Sequence, residues 1–340
     1  MTLGTTAAPV LESTVGKPMQ AAVYRVYGSP DVLKLETVQK PTPQDNQVLI
    51  QVVAASTAAG DWHLLRAEPF LMRFIYGLFK PKYPILGAAL AGRVEAVGRN
   101  VTQFQPGDEV FGDLSTTGFG AFAEYVAAPE HAFALKPTNL TFEQAATVPV
   151  SAVTALQGLR DHGKIQPGQK VLINGASGGV GTFAVQIAKA FGAEVTAVCS
   201  TRNVELARSI GANHVIDYTR EDFTQNSERY DLILAANGYQ PIAAYQRALR
   251  PGGRYVMSGG SMSQMFEAML LGPWLARKGN QTMGNLLAKP NQQDLIVMKE
   301  LIEAGKVTPV IDRSYALHDV ADAIRYLEQG HSRGKVVINI

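Results

Sequence analysis

Short apolar runs dominate the chain from Gln20 to about Val150, and they alternate with turns rich in proline and glycine. The turn Gln105-Pro106-Gly107-Asp108 is typical of these interruptions. The apolar runs predict strands at 21–24, 48–54, 92–97 and 121–127. Closely spaced short strands of this kind predict a barrel-like or sandwich unit.

The pattern changes near Val150, where apolar runs begin to alternate with segments of helical periodicity. Strands are predicted at 171–174, 195–200, 215–218, 232–235 and 254–258, and helices at 180–191, 204–210 and 241–249. This alternation predicts a parallel sheet wrapped by helices. Two more helices, at 292–304 and 320–329, precede a last strand at 335–340.

Composition narrows the classes of partner and compartment. The 340 residues include 31 Lys and Arg and 29 Asp and Glu, a net charge of +2 without runs of like charge. We therefore expect no nucleic-acid and no membrane partner. Cys199 is the single cysteine, which excludes an intrachain disulfide and agrees with a cytoplasmic location. Residues 1–18 lack the basic start and apolar core of a signal peptide, and 1–19 are expected to form a flexible tail.

The strongest local motif is the run 171–181, in which a strand enters a turn of small residues and a helix follows at once. Such a turn lets the backbone approach a pyrophosphate, and the helix N-terminus offers it unpaired N–H groups. The spacing of Ala176, Gly178 and Gly181 is the dinucleotide fingerprint with alanine in the first place. The alternative is an ordinary tight turn. The motif predicts cofactor contacts from Ala176, Ser177, Gly178, Gly179, Val180 and Gly181.

The residues after the second predicted strand indicate which nucleotide is bound. In NAD sites an acidic residue about 20 positions beyond the glycines binds the ribose 2′-hydroxyl. Ser200 occupies that place here, and Arg202 lies just beyond it. A hydroxyl and a guanidinium bind a 2′-phosphate, which a carboxylate would repel. The sequence therefore predicts NADPH, with a solvated role for Arg202 as the alternative.

Several segments together match one known family. Gly168-Gln169-Lys170 precedes the glycine turn, Gln186 and Lys189 follow it, and further matches lie at 105–112, 308–312 and 330–337. From Gln20 to Ile340 the chain resembles the zinc-independent, zeta-crystallin-like quinone oxidoreductases of the medium-chain dehydrogenase/reductase superfamily.

The resemblance implies an α/β fold of two domains with the cofactor between them. A GroES-like, β-rich catalytic domain would comprise 20–149 and 287–340, and a Rossmann domain with a doubly wound parallel sheet would comprise 150–286. Tyr218 would flank the adenosine phosphate, while Thr154 and Gly259 would lie near the nicotinamide. The family often has Lys where this chain has Asn203, so Arg202 would take over that role. A homodimer paired through the edge of the cofactor-domain sheet is also implied.

The chain departs from the family at the positions that would carry polar groups near the nicotinamide. The zinc ligands of zinc-dependent relatives correspond by resemblance to Ala58, Ala88-Ala89 and Ser151, which predicts that no metal is bound. Zinc-free relatives usually carry Asn at position 58 and Asp at position 89. This chain has alanine at both.

Reduction of a carbonyl or enone requires a proton as well as a hydride, so nearby polar side chains are catalytic candidates. These candidates are Asp61, His63 and Tyr76. The alternatives are a scaffold role for His63 and a packing role for Tyr76. The run 64–79, rich in Phe, Leu, Ile and Met, predicts an apolar lid over the cleft, or else an amphipathic surface. The Met-rich stretch 262–274 predicts either packing or a dimer contact, or a substrate pocket.

Three functions are compatible with these features. The first is an NADPH-dependent reductase of a small apolar carbonyl, enone or quinone-type substrate, and the cofactor motif and predicted lid favour it. The second is a non-redox cyclase or isomerase with a structural or vestigial cofactor, which the alanines at 58 and 89 suggest. The third is a nucleotide-binding protein without catalysis.

Overall fold

The computed structural model describes residues 16–260, 262–272 and 280–340, so most of the predicted tail lies outside the described residues. Fifteen strands are described. They are β1 (Pro18–Val23), β2 (Lys34–Gln39), β3 (Gln47–Ser56), β4 (Ala89–Val97), β5 (Glu109–Asp113), β6 (Tyr125–Pro129), β7 (Phe133–Leu135), β8 (Lys170–Asn174), β9 (Glu194–Cys199), β10 (His214–Asp217), β11 (Tyr230–Ala235), β12 (Leu249–Met257), β13 (Thr282–Asn285), β14 (Ile311–Ala316) and β15 (Lys335–Asn339).

Ten α-helices are described in the same ranges, and short 3₁₀ turns and one π-helical turn accompany them. The helices are α1 (Ala59–Arg66), α2 (Arg73–Tyr76), α3 (Phe142–Ala146), α4 (Val148–Gln157), α5 (Gly179–Ala190), α6 (Val204–Ser209), α7 (Ile242–Ala248), α8 (Met262–Leu270), α9 (Gln292–Glu303) and α10 (Val320–Glu328). None of the helices in these ranges combines the length and the apolar character needed to cross a bilayer.

The catalytic unit is built on a seven-stranded sheet in the order β14-β15-β3-β4-β5-β7, with β6 paired to β3. Strand β3 is its centre, because it pairs antiparallel with β4, β6 and β15. Alternate side chains of β3, at Val48, Ile50 and Val52, are buried in a core that includes Phe122 and Phe133. The pairing of β3 with β15 brings the C-terminal end of the chain into the unit formed by the N-terminal half.

The cofactor unit is a six-stranded sheet in the order β10-β9-β8-β11-β12-β13, and all its strands run parallel. The strands are buried on both faces, as the adjacent residues Leu172 and Ile173 of β8 show, which explains their continuous apolar runs. The chain leaves β8 towards β9 on one side, and β11 lies on the other. In open sheets of this kind, ligands bind in the crevice at such a switch point, outside the carboxyl ends of the strands.

The predicted strands and helices of the parallel sheet are confirmed, but three other expectations need correction. Strand β1 begins at Pro18, inside the predicted tail 1–19, because Pro18 pairs with Gln39 of β2. The strand predicted at 121–127 begins only at Tyr125. The N–H groups of Ala121 and Phe122 instead donate to the carbonyls of Gly87 and Leu86, outside a regular strand pairing. The proposed domain boundary at 149/150 falls within α4, which packs against α5 and also against β4 and β5.

The two units are joined by buried glutamine side chains. Gln186 of α5 donates through Nε2 to the carbonyl of Thr308 (2.9 Å) and accepts through Oε1 from the Thr308 N–H (2.8 Å). Gln157 of α4 bonds both backbone groups of Lys289 in the same way. An amide side chain can satisfy a backbone donor and acceptor at once. Each glutamine therefore makes the pair of hydrogen bonds that a neighbouring strand would otherwise make.

Replacement of Gln186 by alanine should weaken the junction. The substitution removes two partly buried hydrogen bonds to the Thr308 N–H and carbonyl, and we expect a loss of about 1–3 kcal/mol in the free energy of unfolding. Urea denaturation would measure it. Gln166→Ala removes an exposed glutamine that bonds only locally and should change the stability little. Equal stability of both variants would contradict a junction role for Gln186.

Candidate cofactor site and active site

The turn between β8 and α5 has the geometry that close approach of a pyrophosphate requires. Gly175 has a φ of +78°, in the left-handed region that favours glycine. A Cβ on Gly181 would lie 2.1 Å from the Gly175 carbonyl oxygen, so only glycine allows α5 to pack this closely on the turn. Gly178 is the N-cap of α5, and the nearest heavy atom to a Cβ placed there lies 3.6 Å away. Gly175 and Gly181 thus allow the tight path of the backbone, and Gly178 leaves open space beside the turn.

A cavity of about 360 Å³ opens at this turn, at the carboxyl ends of β8, β9 and β11. Five of the predicted cofactor residues line it together: Ser177, Gly178, Ser200, Arg202 and Tyr218. The sequence analysis missed other lining residues, chiefly Asn174, Asn203, Asn237, Tyr239, His331 and Ser332. His331 and Ser332 come from the loop before β15, and only the family resemblance at 330–337 could have indicated them.

Asn203 organises the polar wall of this cavity. Its Nδ2 donates to Ser177 Oγ (2.9 Å) and to Ser200 Oγ (3.2 Å), which ties the glycine turn to the end of β9. Its Oδ1 is buried and has no partner within the described part of the chain. Because an orphaned buried acceptor is costly, it indicates that a ligand hydroxyl completes the site. The residues present therefore fit a dinucleotide.

Arg202 and Tyr218 form the outer rim of the same cavity. Arg202 donates to the carbonyl of His331 (2.7 Å), and this bond fixes the guanidinium beside the cavity. Tyr218 directly follows β10, and 59% of it is exposed. Among the described residues that line the cavity there is no carboxylate.

The remaining residues of the glycine motif support the turn from below or from the side. Ala176 is fully buried, and its N–H donates to the Val198 carbonyl. Val180 packs on the core of the cofactor unit. Gly179 faces the catalytic unit, because a Cβ there would lie 3.0 Å from Cδ of Lys335 and 3.4 Å from Oγ of Ser151.

A second cavity, of about 280 Å³, lies between the two units. Its walls are mainly apolar, with a few polar residues among them: Asp113, Ser115, Val150, Val153, Thr154, Ser258, Leu286, Leu287, Ala288 and Pro290. Thr154 lines it as predicted, although its hydroxyl donates to the Val150 carbonyl (2.7 Å). Gly259 follows Ser258, and a Cβ there would clash with the Ala236 carbonyl oxygen at 2.3 Å. The cavity suits a small apolar molecule held by few polar groups.

Asp61 was predicted as a catalytic candidate, but its contacts are those of a positioning residue. Its carboxylate is 2% exposed and accepts from the N–H groups of Ala58 (2.7 Å) and Gly87 (3.1 Å). Burial raises its pKa to about 6, while these two bonds and Lys335 oppose the rise. One oxygen thus holds the 57–58 turn and the other the backbone at Gly87, and Asp61 is not among the residues that line the cavity.

Lys335 and Asp113 form a buried charged cluster with Asp61, and the sequence analysis missed both. Lys335 is 3% exposed and donates through Nζ to the Thr57 carbonyl (2.6 Å). Burial lowers its pKa to about 8, against the attraction of the two carboxylates. Burial also raises the pKa of Asp113, whose Oδ1 accepts from the Ser115 N–H (2.8 Å). Of the three charged groups, Asp113 is the one that lines the cleft cavity.

His63 and Tyr76 have the contacts of scaffold residues. His63 Nδ1 lies 2.8 Å from the Glu68 carbonyl oxygen, and its ring stacks on Trp62. The Tyr76 ring packs against Tyr83 and Phe119. These contacts correspond to the alternatives that the sequence left open, and the catalytic roles of both residues remain untested predictions.

The positions that would bind zinc in related dehydrogenases hold Ala58, Ala88, Ala89 and Ser151. Across the described residues, no group of three His, Cys, Asp or Glu side chains is placed to hold a metal ion. Fold and site together define a two-domain, dinucleotide-dependent enzyme with an apolar cleft between its domains.

Comparison with known proteins supports this class. Residues 44–138 match the family described as alcohol dehydrogenase GroES-like domain, and residues 210–338 match the zinc-binding dehydrogenase family. The chain is 37% identical to 2-methylene-furan-3-one reductase of Solanum lycopersicum, over 96% of this chain and 80% of that protein. It is 35% identical to the NADPH-dependent alkenal/one oxidoreductase, chloroplastic, of Arabidopsis thaliana, over 96% and 81%.

Solved structures agree. The quinone oxidoreductase from Coxiella burnetii superposes with a TM-score of 0.85 at 30% identity, covering 95% of this chain and all of that one. The chain therefore belongs to the quinone-oxidoreductase-like family of the medium-chain dehydrogenase/reductase superfamily, and it is an NAD(P)H-dependent oxidoreductase. The predicted family and fold class are confirmed.

The buried carboxyl of Asp61 predicts a pH dependence of stability. Its folded-state pKa of about 6 lies above the ordinary value of 3.8, so between these values the unfolded chain has lost a proton that the folded chain keeps. The free energy of unfolding therefore falls as pH rises through this window, by at most about 3 kcal/mol from this group. Asp61→Asn should flatten the slope in urea denaturation. It should also lower overall stability, since Asn accepts from only one of the two N–H groups.

The matched control is Asp108→Asn. Asp108 also accepts a backbone N–H, from Gln105 (2.9 Å), but in an exposed turn. Its slope should follow that of the wild-type protein. A wild-type slope in Asp61→Asn would show that the proton is not held by Asp61.

Proposed function

We propose that this protein is a zinc-independent reductase that uses NADPH to reduce a small apolar enone, alkenal or quinone-type substrate. The observation that carries the proposal is the nucleotide cavity, in which Arg202, Ser200 and Asn203 stand where an NAD site has a carboxylate. The named relatives that reduce a furanone and alkenals support the substrate class. The alanines at 58, 88 and 89 support the absence of zinc.

The residues around the nucleotide cavity would hold the cofactor in a fixed position. The glycine turn would accept the pyrophosphate at the start of α5, and Arg202 with Ser200 would bind the 2′-phosphate. When bound, NADPH supplies a hydride to an electrophilic carbon of the substrate. In the cleft, Val150, Val153 and Leu286 exclude water, which strengthens every polar interaction that remains there.

Asp113 is our candidate for the proton donor. It lines the cleft cavity, and burial raises its pKa, which favours the protonated form that a proton donor needs. Once the substrate carbon has been reduced, Asp113 would give its proton to the resulting enolate and recover another from water. The Ser115 N–H holds the carboxyl in place during the transfer.

The cofactor assignment is tested by calorimetry of NADPH and NADH binding to wild-type protein and to Arg202→Ala. We expect a preference for NADPH of tenfold or more, about 1.4 kcal/mol, that the variant loses while its NADH affinity stays the same. Arg208→Ala is the matched control, because Arg208 is exposed on α6 and pairs with Glu205. An undiminished preference in Arg202→Ala would contradict the assignment. Binding of neither nucleotide would contradict the reductase itself.

The role of Asp113 is tested with Asp113→Asn and a panel of enones, alkenals and quinones. Asn still accepts the Ser115 N–H but cannot give up an acidic proton, so we expect turnover to fall by about 100-fold with NADPH affinity unchanged. In the wild-type protein turnover should decline as pH rises through the raised pKa of Asp113, and this decline should be absent in the variant. An Asp113→Asn enzyme with wild-type turnover and pH profile would show that water supplies the proton.

We also propose that the protein is a homodimer joined through β13. This strand is the last in the parallel sheet, and its outer edge has no strand partner among the described residues. An edge strand of this kind offers backbone groups to a second copy. A strictly monomeric mass in solution at micromolar concentration would exclude the dimer.

A further inference from the structure

Residues 69–82 carry an apolar surface that faces solvent. Phe74, Ile75 and Phe79 are 68%, 71% and 91% exposed. We call the set formed by Phe70, Leu71, Phe74, Ile75, Leu78 and Phe79 the outward apolar face. A cluster of large apolar side chains this exposed marks an interaction site more often than chance.

The opposite side of the segment is fixed to the catalytic unit. The Tyr27 hydroxyl bonds the carbonyls of Tyr76 (3.0 Å) and Gly77 (2.7 Å), and the Lys82 N–H donates to the Tyr76 carbonyl (2.7 Å). Arg73 lies 4.8 Å from the centre of the Tyr27 ring. Because the backbone and the inward side chains are held in this way, the fold keeps the outward apolar face exposed to solvent.

This arrangement corrects the expectation of a lid over the cleft. The segment lines a separate groove of about 810 Å³ with Tyr24, Arg25 and Pro84, whereas the cleft cavity is lined by other residues. No residue of the outward apolar face is among the described residues that line the cavity between the domains. The amphipathic surface, which the sequence left as the alternative, describes it better.

The margin of the face is basic. Lys80 and Lys82 line the groove and are exposed, and neither belongs to an ion pair within the described part of the chain. Arg66 is paired with Glu328 and Arg73 lies over Tyr27 on the inward side, so the basic margin consists of Lys80 and Lys82. Apolar side chains bordered by lysines are complementary to anionic headgroups above an acyl layer.

We propose that the outward apolar face binds an anionic membrane surface, with Phe74 and Phe79 inserted at the level of the headgroups and Lys80 and Lys82 on the lipid phosphates. A second copy of the chain fits less well, because the described residues that line the same groove on a partner include no carboxylate to pair with the lysines. Composition alone predicted no membrane partner. A net charge of +2 for the whole chain does not show that four basic residues lie together in the run 66–82. The proposal does not depend on the reductase function.

The test is flotation of the full chain with vesicles of phosphatidylcholine alone or with about a third phosphatidylglycerol. We expect binding to the anionic vesicles that weakens with salt. The double variant Phe74→Ser/Phe79→Ser should reduce it at least tenfold, and Lys80→Glu/Lys82→Glu should abolish the preference for anionic lipid. Leu35→Ser, which removes an apolar side chain 47% exposed on β2, is the matched control and should bind as wild type.

Thermal unfolding and NADPH binding show whether each variant is folded. The lysine variant is changed only at exposed positions, so it tests the proposal even if the phenylalanine variant is unstable. No binding of the wild-type protein to anionic vesicles would overturn the proposal. Equal binding by wild-type protein and both double variants would overturn it as well. A dimer in solution that Phe74→Ser/Phe79→Ser dissociates, without vesicle binding, would assign the face to a second copy instead.

Discussion

The contact between the glycine turn and the C-terminal strand is the constraint on which the site depends. The Gly334 N–H donates to the Ser177 carbonyl (2.8 Å), and Gly179 lies so close to Lys335 that a Cβ there would be 3.0 Å from the lysine Cδ. The turn that shapes the nucleotide cavity therefore also closes the junction between the units. A substitution that moved either backbone would disturb the cavity and the cleft together, because interiors packed this closely transmit displacement.

The buried charges beneath the cleft follow from the same junction. Strand β15 enters beside β3, and this pairing places Lys335 under the 57–58 turn, within the field of Asp61 and Asp113. Burying an ion is costly unless opposite charge and hydrogen bonds compensate it. Lys335 interacts with both carboxyl groups and donates to the Thr57 carbonyl, and the two carboxyl groups have different surroundings. Asp61 is occupied with backbone N–H groups, whereas Asp113 reaches the cavity wall.

The polar wall of the nucleotide cavity depends on two adjacent residues after β9. Asn203 bonds two serines and stiffens the wall, and Arg202, one position before it, lies at the rim. The His331 carbonyl holds that arginine, so the loop before β15 takes part in the site.

The sequence by itself determined the parallel sheet, the glycine turn and the residues at the end of β9, since each depends on local backbone rules and on periodicity over a few residues. It did not reveal Asp113 or Lys335, and it named Asp61 as a catalytic candidate without showing that its carboxylate holds two backbone N–H groups. Those roles arise where β3, β5 and β15 meet, at positions 57, 113 and 335, which no local pattern connects. The direction of the apolar 69–82 segment was decided by tertiary structure too. An apolar run predicts a surface that contacts another apolar group. Which way that surface faces depends on the hydrogen bonds of the segment's other side with Tyr27.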